Sequence, residues 1–223
     1  MIDPFILTFK LALISTAILF VISLPIAYAL AYSPFRMKPW VEALVSLPLI
    51  LPPSVLGFYL LLAFSPERSF GAFLDRYFDI RLVFTFTGLV VSSVIYSLPF
   101  MVQPFQSGFR MIPGSLIDAS YTLGRGRLYT LLHVLLPNMR ASLITGCILA
   151  FAHTIGEFGV VLMIGGSIPE ETRVVSIALY DEVQAMHYDR ANVYAGILLA
   201  FSFVILAAVY TINQRFSNNL FRS

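Results

Sequence analysis

Five stretches of this 223-residue chain are apolar and long enough to cross a lipid bilayer, and that feature restricts its fold more than any other. A helix rises about 1.5 Å per residue and the hydrocarbon layer is about 30 Å thick, so about 20 apolar residues span it. Leu11–Tyr32 is uncharged for 22 residues, and its helix can begin near Phe5 with Lys10 snorkelling outward. Ala43–Ser65 contains Pro48 and the pair Pro52-Pro53, and Leu82–Phe109 is broken by Pro99 and Pro104. Ala141–Met163 is interrupted only by Glu157, and Ala191–Gln214 is free of charge. Unpaired backbone groups are not tolerated in lipid, so these runs are helices rather than open strands. The expected architecture is all-α and integral to the membrane. It has one domain over 1–223, with spans at about 5–32, 42–65, 82–107, 139–163 and 191–214.

Composition agrees and excludes other classes. Hydrophobic residues make up 58% of the chain and charged ones 12%, against about a quarter charged in soluble domains. The mean hydropathy is +0.85. A net charge of +2 is too small to argue for nucleic acid as a partner. A single cysteine, Cys147, rules out an internal disulfide, and His133, His153 and His187 lack metal-ligand spacing. There is no Gly-x-Ser-x-Gly, His-Glu-x-x-His or Walker phosphate loop. Ala27-Tyr28-Ala29 looks like a signal-cleavage site, but the run before it exceeds the roughly 7–15 residues of a signal core. It is read as a retained helix.

Cations set the expected orientation. Arg36, Lys38, Arg110, Arg125, Arg127, Arg140, Arg215 and Arg222 fall on one side of five alternating spans. Arg68, Arg76, Arg81, Arg173 and Arg190 fall on the other, each within a few residues of an acid. The richer side is inside, which puts the amino terminus outside and the carboxyl terminus in the cytoplasm. Glu67–Arg81 is then an external surface excursion. Glu170–Arg190 is external with net charge −3, and a short, partly inserted helix is expected over 172–187.

The internal segment 110–138 carries the most specific pattern. Ser115 followed by Asp118 is a variant of the capping box, and Gly124 suits the left-handed position that ends a helix. Leu128, Leu131, Leu132 and Leu135 then define a second amphipathic helix, which Pro137 stops or redirects. Ala119, Ser120 and Gly124 are small enough to let another protein approach closely. Spacing alone fits equally an interfacial helix pair with no partner.

Asp118-Ala119-Ser120, three residues, Gly124, nine residues, then Val134-Leu135-Leu136-Pro137 resembles the signature loop of bacterial ABC-importer permeases, E-A-A-x3-G-x9-I-x-L-P. Asp for Glu, Ser for Ala and Val for Ile are the departures. The resemblance implies that this loop is a coupling helix seated on a cytoplasmic ATPase, with Ser115, Asp118, Ala119, Ser120, Gly124, Arg125 and Pro137 as its coupling residues. Gly156-Glu157-Phe158-Gly159, Gly165-Gly166, Thr172-Arg173 and Leu47–Gly57 are similar to molybdate permeases, whose relatives import sulfate, thiosulfate and tungstate.

That family implies a homodimeric permease, two ATPase subunits that carry ATP and Mg²⁺, an external molybdate-binding protein and a bacterial inner membrane. No cofactor or metal is expected on this chain. A secondary transporter or channel is the rival class, but it often shows inverted repeats and paired intramembrane charges, which are not visible here.

Glu157 is then the sharpest anomaly, because an acid inside a span costs about 2.5–3.5 kcal/mol on insertion scales. A bare carboxylate beside a dianion's path would repel it, so Glu157 is expected to be paired, protonated or turned into the bundle. His153, four residues earlier, is on the same helical face, which allows an internal pair as one of these arrangements. Pro48, Pro52, Pro53, Gly156 and Gly159 join these two as candidates for the pathway or a gate. Glycines are equally common at plain helix contacts in membranes.

Overall fold

The computed structural model of the chain describes residues 2–220, with no side chain described at 209 or 212–220. The expected side chain of Arg215, and Arg222 altogether, lie outside the described residues. All regular structure among these residues is helical. Three helices are long and apolar enough to cross a membrane: Asp3–Tyr32 (α1), Phe86–Met111 (α5) and Tyr188–Leu220 (α12), the last over Tyr188–Ala208. The number rises to five only if each of two bent helix pairs forms one span.

α1, α5 and Arg140–Gly156 (α9) build the main core. Leu19, Ala27 and Leu30 of α1 meet Met101, Val102, Phe105 and Phe109 of α5 in one buried cluster that also takes Ala150 of α9. Close approach needs a missing side chain at Gly146, where a Cβ would lie 2.7 Å from the Phe105 ring. The Tyr32 hydroxyl donates to the Phe109 carbonyl at 2.7 Å and ties the ends of α1 and α5.

The prolines act differently from expectation. α5 runs unbroken through Pro99 and Pro104, and Lys38–Ile50 (α2) runs through Pro48. A single proline inside a membrane helix is absorbed because neighbouring elements re-satisfy the freed backbone. Pro52-Pro53 is different. Each proline forces the residue before it out of the helical region, so Leu51 and Pro52 both take extended ψ values of 134° and 135°. The chain turns 112° between α2 and Pro53–Phe64 (α3), so the second expected span is two helices rather than one.

The fourth expected span is also divided. α9 ends at Gly156, Glu157 is extended, and Gly159–Gly165 (α10) continues. The segment 67–81, expected as a surface excursion, contains a helix, Ser69–Phe78 (α4), ending on left-handed Asp79. Arg81 and Arg173 pair with Asp75 and Asp181. The expected 172–187 helix is Val175–Gln184 (α11), and its first turn is buried, with the Val175 amide donating to Thr8 Oγ1 at 2.9 Å.

Candidate functional site

The 110–138 segment folds as Gly114–Thr122 (α6), a bend, Arg127–Thr130 (α7), a widened π turn over Leu131–Leu135, and Leu136–Asn138 (α8). The expected capping box does not form: Pro113 precedes α6 and no side chain caps it. The helix begins at Gly114, so Ser115 already lies inside the first turn and cannot occupy the N-cap position that a capping box needs. The end of α6 does follow expectation. Gly124 has φ +72°, the Arg125 amide donates to the Ser120 carbonyl and the Gly124 amide to the Tyr121 carbonyl. These two bonds are a Schellman motif, which satisfies the carbonyls a helix leaves free.

The side chains of this segment divide by exposure. Ser115, Asp118, Ala119, Gly124 and Arg125 are exposed, together with Leu116, Tyr121, Leu123 and Leu128. Ser120 is instead 5% exposed and shares a 2.8 Å hydrogen bond with Thr130 Oγ1. It fastens α6 to α7 rather than meeting a partner. The Arg125 guanidinium sits 4.5 Å over the Tyr129 ring, which stacks on His133.

Pro137 is half-buried where the helix redirects. It lacks an amide donor, and the turn just before it widens so that Leu136 bonds to the Leu131 carbonyl. The helix then bends 76° into α9. Ile112, Leu135 and Met139 are buried against Phe109, with Ile117 and Leu131 packed on them, so this segment is bolted to the end of α5.

The second cluster lies at the break between α9 and α10. Glu157 is 4% exposed, and its Oε2 accepts from Ser93 Oγ of α5 at 2.8 Å. Its backbone carbonyl accepts from Ser176 Oγ of α11 at 2.6 Å. Of the arrangements the sequence allows, a His153–Glu157 pair does not form, because the helix ends at Gly156 and Glu157 leaves the helical face. His153 turns to Ser97 Oγ at 2.9 Å and stacks on Phe100 with ring centroids 3.8 Å apart. Ser97 also meets Thr154 Oγ1 at 3.1 Å.

Ser93, Ser97, Thr154 and Ser176 were not among the expected site residues, although Ser93 and Ser97 stand four apart in an apolar run. That spacing puts two hydroxyls on one helical face.

The two backbone breaks meet here. A Cβ at Gly159 would lie 2.8 Å from Pro53 Cβ, and one at Gly57 would lie 2.9 Å from Met163 Cβ, so α3 and α10 touch backbone to backbone. Pro52, Pro53 and Gly156 are exposed, and Pro48 is buried. A third cluster was also missed. Glu42 Oε1 takes bonds from Gln106 at 2.6 Å and Arg110 at 2.8 Å, linking the start of α2 to the end of α5. Glu42 beside Lys38 at the head of an apolar run was the available signal. No group of three or more potential metal ligands exists among the described residues.

Known proteins share both the sequence and this architecture. The chain is 47% identical over 215 residues to the molybdenum transport system permease protein ModB of Azotobacter vinelandii, covering 96% of this chain and 94% of that protein. It is 33% identical over 200 residues to the sulfate transport system permease protein CysT of Salmonella typhimurium, covering 90% of this chain and 72% of that one. Its fold matches a chain of the MetNI methionine ABC transporter in an inward-facing conformation. The TM-score there is 0.68 at 18% identity, over 94% of this chain and 92% of that one. A bacterial ABC transporter that imports alginate also matches, with a TM-score of 0.68 at 17% identity over 95% and 79%. The model of binding-protein-dependent transport system inner membrane components matches residues 6–222, and the chain belongs to that family.

Proposed function

We propose that this chain is the membrane-spanning subunit of an ATP-driven importer that moves molybdate across the bacterial cytoplasmic membrane. The observation that carries the mechanism is α6: an exposed helix with a Schellman end, bolted to α5 through Ile112, Leu135 and Met139. Its exposed Leu116, Tyr121 and Leu123 offer apolar contact to a cytoplasmic ATPase, which holds the ATP and Mg²⁺. A push on α6 passes through packed side chains to α5 and α9 rather than into a free loop.

Two copies of this single-domain chain enclose the path at their two-fold axis, with lipid around them and the amino terminus outside. ATP-driven closure of the ATPases draws the two α6 helices together and opens the path toward a loaded external binding protein. Hydrolysis resets it. Ser115, Asp118, Ala119, Gly124 and Arg125 serve the ATPase contact, and Ser120 and Pro137 hold its shape. The breaks at Pro52-Pro53 and Gly156–Gly159, with Glu157 and His153, belong to the pathway.

The substrate reading rests on similarity. Identity to the molybdenum permease is higher, and covers more of the relative, than identity to the sulfate permease. A sulfate permease is the second reading. The deciding experiment reconstitutes the permease with its ATPase in liposomes, with a binding protein carrying molybdate, tungstate or sulfate. Molybdate-selective stimulation of ATPase activity and uptake is the expected result, and Gly124→Pro uncouples the two. Sulfate-selective uptake replaces the substrate reading. Uptake driven by an ion gradient without ATPase refutes the importer reading.

A further inference from the structure

α2 is thinly attached to the rest of the chain. Val45 and Pro48 are its only buried residues, while Trp40, Leu44, Leu47, Leu49 and Ile50 are exposed. Three polar bonds to α5 supplement that small apolar contact. Gln103, Gln106 and Arg110 of α5 stand at i, i+3 and i+7, which is one helical face. Glu42 and Ser46 of α2 stand four apart and form the matching face. The Gln103 amide donates to Ser46 Oγ at 3.3 Å, and Glu42 Oε1 accepts from Gln106 at 2.6 Å and from Arg110 at 2.8 Å. Each donor is on α5 and each acceptor on α2.

Gln106 is buried and joins a third helix. Its side-chain amide also donates to the Leu30 carbonyl, close to the end of α1, at 3.3 Å. A helix leaves its last four carbonyls without partners, and the residue four after Leu30 is Pro34, which has no amide hydrogen. Gln106 fills that gap with one hydrogen and holds Glu42 with the other. Two committed hydrogens fix the orientation of the amide, which ties Glu42 to one position along α5.

Arg110 is one residue from the end of α5, where the segment that carries α6 begins. In the other direction α2 leads through the turn at Pro52-Pro53 to α3 and its close contact with α10. The polar clamp therefore stands between the 110–138 segment and the paired helix breaks. We propose that Glu42, Gln106 and Arg110 are positioning residues that make α2 and the end of α5 move as one body. Displacement of α6 then reaches the helix breaks through α2 as well as through α5, and the clamp stays closed throughout the transport cycle. Removing the Glu42 acceptor leaves one hydrogen of the buried Gln106 amide without a partner and frees α2 from α5. The clamp's role rests on the importer reading above.

The test uses the full complex with its ATPase and a loaded binding protein in liposomes, and reads molybdate carried per ATP hydrolysed. Glu42→Gln retains a carbonyl acceptor on a side chain of the same length, and the ratio stays near wild type. Glu42→Leu removes the acceptor, and the ratio falls about fivefold or more while assembly and ATPase activity persist. A covalent tie then replaces the lost bonds. Ser46→Cys and Gln103→Cys, in a chain with Cys147→Ala, are joined at their exposed rung by a short bifunctional thiol reagent. With Glu42→Leu the cross-link restores the ratio, and with Glu42 retained it leaves transport intact.

A clamp that only stabilises the fold gives Glu42→Leu a lower unfolding midpoint and an unchanged ratio, which overturns the proposal. Loss of transport on cross-linking with Glu42 retained overturns it too, because α2 and α5 must then separate during the cycle. A cross-link that leaves the Glu42→Leu ratio low has the same consequence. Absence of ATP-dependent oxyanion uptake by the wild-type complex refutes the importer reading itself, an outcome distinct from an uncoupled variant of a working complex.

Discussion

Gly124 and Gly159 both stand at sharp turns, yet they are required for opposite reasons. Gly124 has φ +72°, and a Cβ placed on it would meet nothing within 4 Å. Its need is purely conformational, set by the left-handed position that closes α6. Gly159 needs no unusual φ, but its Cβ position is occupied by Pro53 and the Ser54 amide of a helix about a hundred residues earlier in the chain. The turn that ends α6 is therefore held in shape by its own backbone, and the paired breaks by packing between distant elements. A motif with fixed spacing records the first kind of constraint and is silent about the second.

Substitutions sharpen that contrast. The largest loss is expected for Gly159→Leu, which drives a side chain into Pro53 and costs about 1–3 kcal/mol by overpacking. Thermal unfolding in detergent measures it, and an unchanged midpoint would show that α3 and α10 are free to separate. Gly124→Val comes next, at roughly 1–2 kcal/mol for a β-branched residue forced into the left-handed region. Its cost falls on α6 alone, so stimulated ATPase activity drops while the unfolding midpoint of the membrane core holds.

Ser120→Ala removes one partner of a buried hydroxyl pair, and a loss of about 1 kcal/mol is expected. Ser120→Cys labelling provides a second check, because slow labelling follows if the position faces Thr130 and fast labelling if it faces a partner. Arg125→Ala is the smallest effect, at about 0.5–1 kcal/mol for an exposed cation over an aromatic ring. A larger drop in ATPase coupling than in stability there assigns Arg125 to the ATPase contact.

How much was legible varied with the source of each feature. The α6 turn followed from Gly124 and the spacing to Pro137, because cap chemistry acts over a few residues. The proposed capping box at Ser115 and Asp118 failed, since Pro113 sets the start of α6 without a side-chain cap. Pro52-Pro53 was legible as a bend but not as a 112° turn, because the angle depends on what receives α3. Pro99 and Pro104 signal breaks that do not occur, since α5 stays continuous with α1 and α9 packed along it. Glu157 stands out in the sequence as the one acid of its run, but its partner is Ser93 rather than His153, because α9 ends at Gly156 and Glu157 leaves the face that His153 occupies.

The sequence by itself determined that the chain is helical and membrane-embedded. Uncharged runs of about 20 residues leave no other way to satisfy a backbone in lipid. It also determined where the exposed 110–138 segment lies, because polar residues, Gly124 and Pro137 interrupt those runs at fixed spacing. Only the tertiary structure decided that the breaks at 51–53 and 157–158 face each other, and that Ser93 rather than His153 holds Glu157. The reason is physical. A helix that is apolar all round has no periodic face to report which neighbour it meets. That choice is made by close backbone approach at glycines and by a few buried hydroxyls.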